Sequence, residues 1–403
     1  MKITDVTTAI VRIVGPCVLV KVITDEGIVG LGECYPSAPA SGIVEAINSM
    51  KEHLVGQDPR EINPLHERIR RFNLFTGAQG GAVITALSGV EMALWDILGK
   101  NLGVPVYRLL GGKFRDSVRL YADCHAGMID AEAHHIERAG GEDDRDARMI
   151  EESVAMALEA LSQGYTAIKF DVDDIYHPYK RDLWNWTLSP REIESIELRV
   201  AAIRGAIGSD VDFAIDVHAR FDLPSAIQIA RAVAPYRLMW LEEPVPPENV
   251  ESLVTVRAAS PVPICAGENA YTRYGINNLI QRGAVDIIMP DIAKFGGISE
   301  AMRAASLAEM HYLPFSPHNV CGPLGTVAMA HVCAAIPNFL ALEFHGIDLN
   351  YWEDLAFYAA GKVIQNGAVP MADAPGWGIE INDEVARQHI HHRMAHDYFG
   401  EPI

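Results

Sequence analysis

The chain has 403 residues, with 33 Lys+Arg against 53 Asp+Glu and a net charge of −20. With 49% hydrophobic and 21% charged residues, it has the make-up of a globular protein long enough to bury a large core. Such acidity excludes a binder that covers phosphates with a basic face and disfavours an anionic membrane surface; at first reading it disfavours anionic substrates too.

The N-terminus, with charges at Lys2, Asp5 and Arg12, lacks the apolar core of a signal peptide. No apolar run is expected to reach the roughly 18 residues that span a bilayer. Six scattered cysteines without a CxxC pair read as free, buried thiols of a reducing compartment, so a cytoplasmic location is expected. Val18–Ile23 and Ile28–Glu33 flank Thr24-Asp25-Glu26-Gly27, which predicts a hairpin. Val83–Leu102 is patterned as a helix stopped by Gly103 and Pro105. Residues 12–17 and Thr76–Gly81 are candidate lid loops, since glycine permits closure there. The first domain is an α+β module over residues 1–115.

From residue 118 short apolar runs alternate with amphipathic stretches, the pattern of βα units and a parallel sheet. Eight runs begin at Arg119, Ala167, Asp212, Leu238, Pro263, Ile287, Leu313 and Phe339. Helical stretches such as 191–207, 223–234, 299–310 and 324–335 separate them. Eight units in about 230 residues is the count of a (β/α)8 barrel. No GxGxxG or P-loop supports the alternative, an open doubly wound sheet. The acidic run at 140–146 is read as a solvated loop before a helix. The polar-aromatic stretch 172–186 is long for a βα connection, which suggests a substrate or subunit contact.

Barrel enzymes place their chemistry at the C-terminal ends of the strands. Those positions carry Lys169 and Asp171, Asp216 and His218, Glu242, Glu268, Asp291, His318 and Glu343. From Asp216 to Glu343 the steps are 26, 26, 23, 27 and 25 residues, about one βα unit each. Scattered surface charge would not keep that phase. Three carboxylates from adjacent strands, Asp216, Glu242 and Glu268, cannot stay ionised together without a cation, and hard oxygen ligands suit Mg²⁺ better than Zn²⁺. Asp291 beside His318 would fix the tautomer of a general base. Strand alternation should point His218 to the same side as Asp216.

At these residues the sequence resembles the enolase superfamily, specifically its mandelate racemase subgroup. The resemblance covers nearly the whole chain. It is carried by Thr24–Glu33, Ala93–Lys100 with Leu110–Lys113, Leu241-Glu-Glu-Pro244, Ala266-Gly-Glu268, Pro290-Asp291 with Gly296-Gly297, and Pro375–Glu380. Asp216-Val-His218-Ala-Arg220 and Phe315–Pro323 look like the acid-sugar dehydratases acting on galactonate or gluconate.

The resemblance implies an α/β fold, a modified TIM barrel (β/α)7β over 116–365, with an N-terminal α+β capping domain completed by the segment 366–403. It implies that Asp216, Glu242 and Glu268 hold Mg²⁺, that Lys169 adds positive charge near the substrate carboxylate, and that His318, oriented by Asp291, takes the C2 proton to give an enediolate. His218 would protonate the leaving C3 hydroxyl, and Glu343, protonated or well compensated, would bond the carboxylate. Asp171 and Arg220 join Glu343 as substrate-contact candidates. A homo-oligomer is expected, an octamer being one form the family takes, with a small carboxylate as the only other partner.

One departure bears on the reaction. Racemases of the family commonly present Lys-x-Lys on the second barrel strand, and here the motif is Lys169-Phe170-Asp171. Loss of the second lysine favours dehydration over a racemase or epimerase, although His218 could serve the other face of the α-carbon. A catalytically silent member of the fold should lack a ligand or base, and none is missing. The charge of −20 then excludes less than it did: net charge governs solubility and steering, whereas three acids that recruit a cation let a carboxylate bind.

Overall fold

The structure is a computed structural model that describes residues 1–36, 39–124, 142–173, 184–396 and 398–399. In chain order its strands are β1 (Ile3–Arg12), β2 (Pro16–Thr24), β3 (Val29–Cys34), β4 (Ser117–Asp123), β5 (Ala167–Asp171), β6 (Asp212–Asp216) and β7 (Leu241–Glu242). They continue with β8 (Ile264–Ala266), β9 (Ile287–Ile288), β10 (Leu342–Phe344), β11 (Ala356–Tyr358), β12 (Ala368–Pro370), β13 (Ile379–Ile381) and β14 (Ile390–His396). The chain forms two compact units. One comprises Met1–Arg119, Glu268–Asn277 and Met289–Ile403; the other comprises Leu120–Gly267 and Asn278–Ile288.

In the first unit β14, β1, β2 and β3 form an antiparallel sheet in that order, so the C-terminal strand lies on the first one. The expected hairpin is β2–β3, closed by Thr24, whose hydroxyl donates to Ile28 O at 2.8 Å, and by Gly27 at φ 80°. Helix Gly81–Leu102 packs on this sheet and ends, as its sequence predicts, at left-handed Gly103. The approach is close enough to require glycine. A Cβ at Gly32 would stand 2.0 Å from Gly89 O, and one at Gly30 would stand 2.1 Å from Ala93 O. By length and composition this helix is apolar enough to cross a membrane, which corrects the expectation that no run is. With 72% of the apolar window buried in the fold, it is a core helix.

The second unit carries a parallel ladder. Successive register pairs are Ala122 with Ile168, Ile168 with Phe213, Ile215 with Leu241, Leu241 with Ile264, and Cys265 with Ile287. Helix Pro190–Ile207 opens with a capping box, Ser189 and Glu192 each accepting from the other's backbone N–H. The acidic run 140–146, expected to be a loop, is helical from Glu142, the first residue of helix Glu142–Ser162. The run at Leu313 forms a single parallel bridge, Phe315 to Phe339, rather than a strand, because Pro314 and Pro317 lack the N–H groups that would extend it. All six cysteines are free and buried.

Candidate active site

In the second unit, burial and strand register gather charge around one lysine. Lys169 on β5 is buried, with Nζ 2.9 Å from Glu242 Oε1, 3.3 Å from Asp216 Oδ2 and 3.5 Å from Asp123 Oδ2. Asp216 and Glu242 are register partners on β6 and β7. Trp240 Nε1 donates to Glu242 Oε2 at 2.8 Å and fixes that carboxylate. Among the described residues one ammonium is set among these three buried carboxylates, a crowding of negative charge that a low-dielectric site disfavours. The donors are all hard oxygens, so the set fits a divalent cation such as Mg²⁺. The end of β5 is pinned by buried Arg199, which donates to Asp171 O at 2.7 Å and to Ser153 Oγ at 2.8 Å.

His218 reaches the same place by a route that strand alternation does not describe. β6 ends at Asp216, and His218 and Ala219 are left-handed, with φ 46° and 56°. The His218 N–H donates to Asp216 Oδ1 at 2.7 Å, turning the chain back, and the ring places Nε2 3.6 Å from Asp216 Oδ2 and 4.0 Å from Asp171 Oδ1. Nδ1 lies 3.0 Å from Asp173 Oδ1. Burial resists charge on this imidazole, but Asp216, Asp173 and Asp171 outweigh it and push its pKa up to about 12. Arg220, expected near the substrate, spends its Nε on Asp173 Oδ2 at 2.5 Å.

The first unit holds the other imidazole. Asp291 Oδ1 accepts from Ala293 N–H at 2.9 Å, capping the short helix Ile292–Phe295, and Oδ2 lies 2.7 Å from His318 Nδ1. That contact assigns Nδ1 as a proton donor and turns Nε2 toward Glu268 and Glu343. Nε2 stands 3.0 Å from Glu268 Oε2 and 3.7 Å from Glu343 Oε2. Burial opposes a charged ring here, yet the carboxylates of Glu343 and Glu268, with the Asp291 bond, hold the pKa well above that of ordinary histidine. Asn319 organises the next turn: its N–H donates to Glu343 Oε2 at 2.8 Å, and its Nδ2 donates to Thr326 Oγ1 at 2.9 Å and Glu343 O at 3.0 Å.

Several participants escaped the sequence reading. Asn319 and Glu33 stand in quoted motifs without an assigned role, Asp123 ends a strand, and Asp173 lies two residues past one. Tyr35 is also among them, its ring centroid 5.9 Å from that of His318 and 4.3 Å below Lys294 Nζ. Of the lid candidates, residues 12–17 comprise the end of β1, the turn at 13–15 and the start of β2, and Ile13 sits so close to Gly322 that a Cβ there would meet Ile13 Cδ1 at 2.4 Å. Thr76–Gly81 is a turn entering helix Gly81–Leu102, with Gly77 and Gly81 both at positive φ. Residues 174–183 of the long loop lie outside the described residues; beyond them Trp184 is exposed and Trp186 O accepts from Asp222 N–H at 3.1 Å.

Glu33 supports the His318 loop from β3. It is buried, with Oε1 accepting from Gly322 N–H at 2.5 Å and Oε2 from Gly325 N–H at 2.8 Å, at the start of helix Pro323–Ala335. Burial lifts its pKa from 4.5 to about 7 against these two donors, and Asp291 adds to the rise. Because the folded protein binds this proton more tightly than the unfolded chain, the stabilisation is full below about pH 4.5 and is lost as pH rises through 7. Urea melts between pH 4.5 and 8 should show the wild type losing on the order of 3 kcal/mol from this group. Glu33→Gln should lack that slope, and equal slopes in the two proteins would refute the assignment.

Residues 6–111 match the mandelate racemase / muconate lactonizing enzyme N-terminal domain family, and residues 152–385 match the enolase C-terminal domain-like family. A D-xylonate dehydratase of Haloferax volcanii is 40% identical, covering 96% of this chain and 89% of that protein. A D-galactonate dehydratase of Xanthomonas axonopodis pv. citri is 32% identical over 96% of this chain and 94% of its own. Among solved structures, a mandelate racemase/muconate lactonizing enzyme-like protein from Rubrobacter xylanophilus superposes with a TM-score of 0.93 at 55% identity, covering 98% of each chain.

Proposed function

This chain belongs to the mandelate racemase/muconate lactonizing enzyme family of the enolase superfamily, with its modified TIM-barrel fold and N-terminal cap, and we propose that it is a Mg²⁺-dependent acid-sugar dehydratase. Its substrate would be an aldonate of the kind named for its relatives, D-xylonate or D-galactonate, and its product a 2-keto-3-deoxy acid. Residues 1–115 would form the cap, 116–365 the catalytic domain and 366–403 the returning segment of a cytoplasmic homo-oligomer.

The observation that carries the reading is the His318–Asp291 pair, an imidazole oriented through Nδ1 so that Nε2 would act as the base. Nε2 takes the C2 proton, and the imidazolium formed is stabilised by Asp291 on one nitrogen and by Glu268 and Glu343 near the other. Asp216, Glu242 and Glu268 would hold the divalent cation. When bound, it supplies Lewis-acid neutralisation of the charge that the substrate carboxylate gains as the proton leaves. Lys169 adds fixed positive charge beside Asp216 and Glu242, and Glu343, held by the Asn319 N–H, would meet the substrate carboxylate through a shared proton, since two carboxylates are both acceptors. His218 delivers a proton to the C3 hydroxyl, the C3–O bond breaks, and water departs. The resulting enol takes up a proton at C3 and becomes the keto acid.

Racemisation needs an acid/base on each face of C2, and the position two residues beyond Lys169 is occupied by Asp171, a weak base for that purpose. The test is a panel of D-xylonate, D-galactonate, D-gluconate and D-arabinonate with Mg²⁺, followed by detection of 2-keto-3-deoxy acids. At least one aldonate should give the keto acid. Epimerised substrate without keto acid would contradict the proposal.

A further inference from the structure

His218 and Ala219 adopt left-handed backbone, which costs a non-glycine residue about 1–2 kcal/mol. Such strain persists only where the surroundings over-determine it. Here the backbone is held by three bonds: His218 N–H to Asp216 Oδ1 at 2.7 Å, Ala219 N–H to Glu243 O at 2.7 Å, and Arg220 N–H to Val217 O at 3.0 Å. Glu243 is itself left-handed at φ 37°, and its Oε1 accepts from Gly267 N–H at 2.8 Å. These bonds fix the main chain but not the His218 ring, which keeps its side-chain torsions.

The ring is fixed by Asp173. This buried carboxylate places Oδ1 3.0 Å from His218 Nδ1 and Oδ2 2.5 Å from Arg220 Nε, so one group holds both side chains that flank the strained pair. A ring flip would remove Nδ1 from its acceptor, and the guanidinium bond keeps the carboxylate from following the ring.

We propose that Asp173 is a positioning residue of the dehydration: by holding His218 Nδ1 and Arg220 together, it presents His218 Nε2 to the departing C3 hydroxyl. The inference rests on His218 being the acid. It makes the elimination half of the reaction depend on a carboxylate 45 residues away in sequence and leaves proton abstraction at C2 to the His318 pair.

A leaving group that needs no proton tests this. Asp173→Asn, Asp173→Glu and His218→Asn would be assayed on whichever of the four aldonates is turned over and on its 3-deoxy-3-fluoro analogue, where fluoride departs without an acid. Asp173→Asn should lower kcat on the hydroxyl substrate by roughly 10²-fold or more with little change in KM. It should stay near wild type on the fluoro analogue, and Asp173→Glu should recover part of the loss. Equal losses on both substrates, or wild-type kcat on the hydroxyl substrate, would overturn the proposal while leaving His218 as acid. A His218→Asn protein that dehydrates normally would overturn the acid assignment, and this inference with it.

Discussion

His318→Asn is expected to lower kcat for dehydration by roughly 10³–10⁴-fold, the loss typical of a missing general base, with KM changed little. Asparagine retains an amide that reaches Asp291, so the buried pair is not left broken, but it offers nothing basic where Nε2 stood. The same variant should also lose exchange of the C2 hydrogen with solvent, because abstraction at C2 precedes C3–O cleavage. Asp291→Asn should be slow for a different reason: an amide can donate to Nδ1 and stabilise the wrong tautomer, which blocks Nε2 with the proton. Turnover of the His318→Asn protein above a tenth of wild type would exclude His318 as the base.

Removal of divalent cations by EDTA should abolish turnover, and Mg²⁺ should restore it. Glu242→Gln should defeat the restoration. The physical ground is the crowding at Lys169, where, among the described residues, Asp123, Asp216 and Glu242 converge on one ammonium in a buried setting. Binding to the folded state alone also stabilises it, by about 2.7 kcal/mol at a concentration 100 times Kd. Wild type should therefore melt at a Tm that rises with Mg²⁺, while Glu242→Gln should melt at a Tm indifferent to it. A Tm rise of equal size in both would place the cation elsewhere.

The ionisable groups proposed to act in catalysis are legible in sequence because they recur in phase with βα units. Asp216, Glu242, Glu268, Asp291, His318 and Glu343 each stand at or just past a strand end or its equivalent, even where the strand shrinks to the two residues of β7 or to the Phe315 bridge. The supporting groups follow no such period. Glu33 meets Gly322 across 289 residues, and Asp173 meets His218 across 45, so no local pattern announces either contact. The turn at His218 was unreadable for another reason. Left-handed backbone is announced by glycine or asparagine, and here histidine and alanine adopt it under constraint from Glu243 and Asp216. Alternation thus gave the correct neighbour for His218 by an argument the backbone does not follow. Helix Gly81–Leu102 is legible in sequence over Val83–Leu102, but its span-like apolar character is not, because Glu91, Asp96 and Lys100 punctuate the apolar pattern; Glu91 and Asp96 are buried against backbone N–H groups.

His318 is expected to open an elimination rather than an inversion. This is tested most directly by incubating the Mg²⁺-loaded enzyme with its aldonate in D₂O and following both compounds by NMR. The expected product is a 2-keto-3-deoxy acid carrying one solvent deuteron at C3, formed by wild type and not by His318→Asn. Recovery of the aldonate with deuterium at C2, inverted configuration and no keto acid would contradict it.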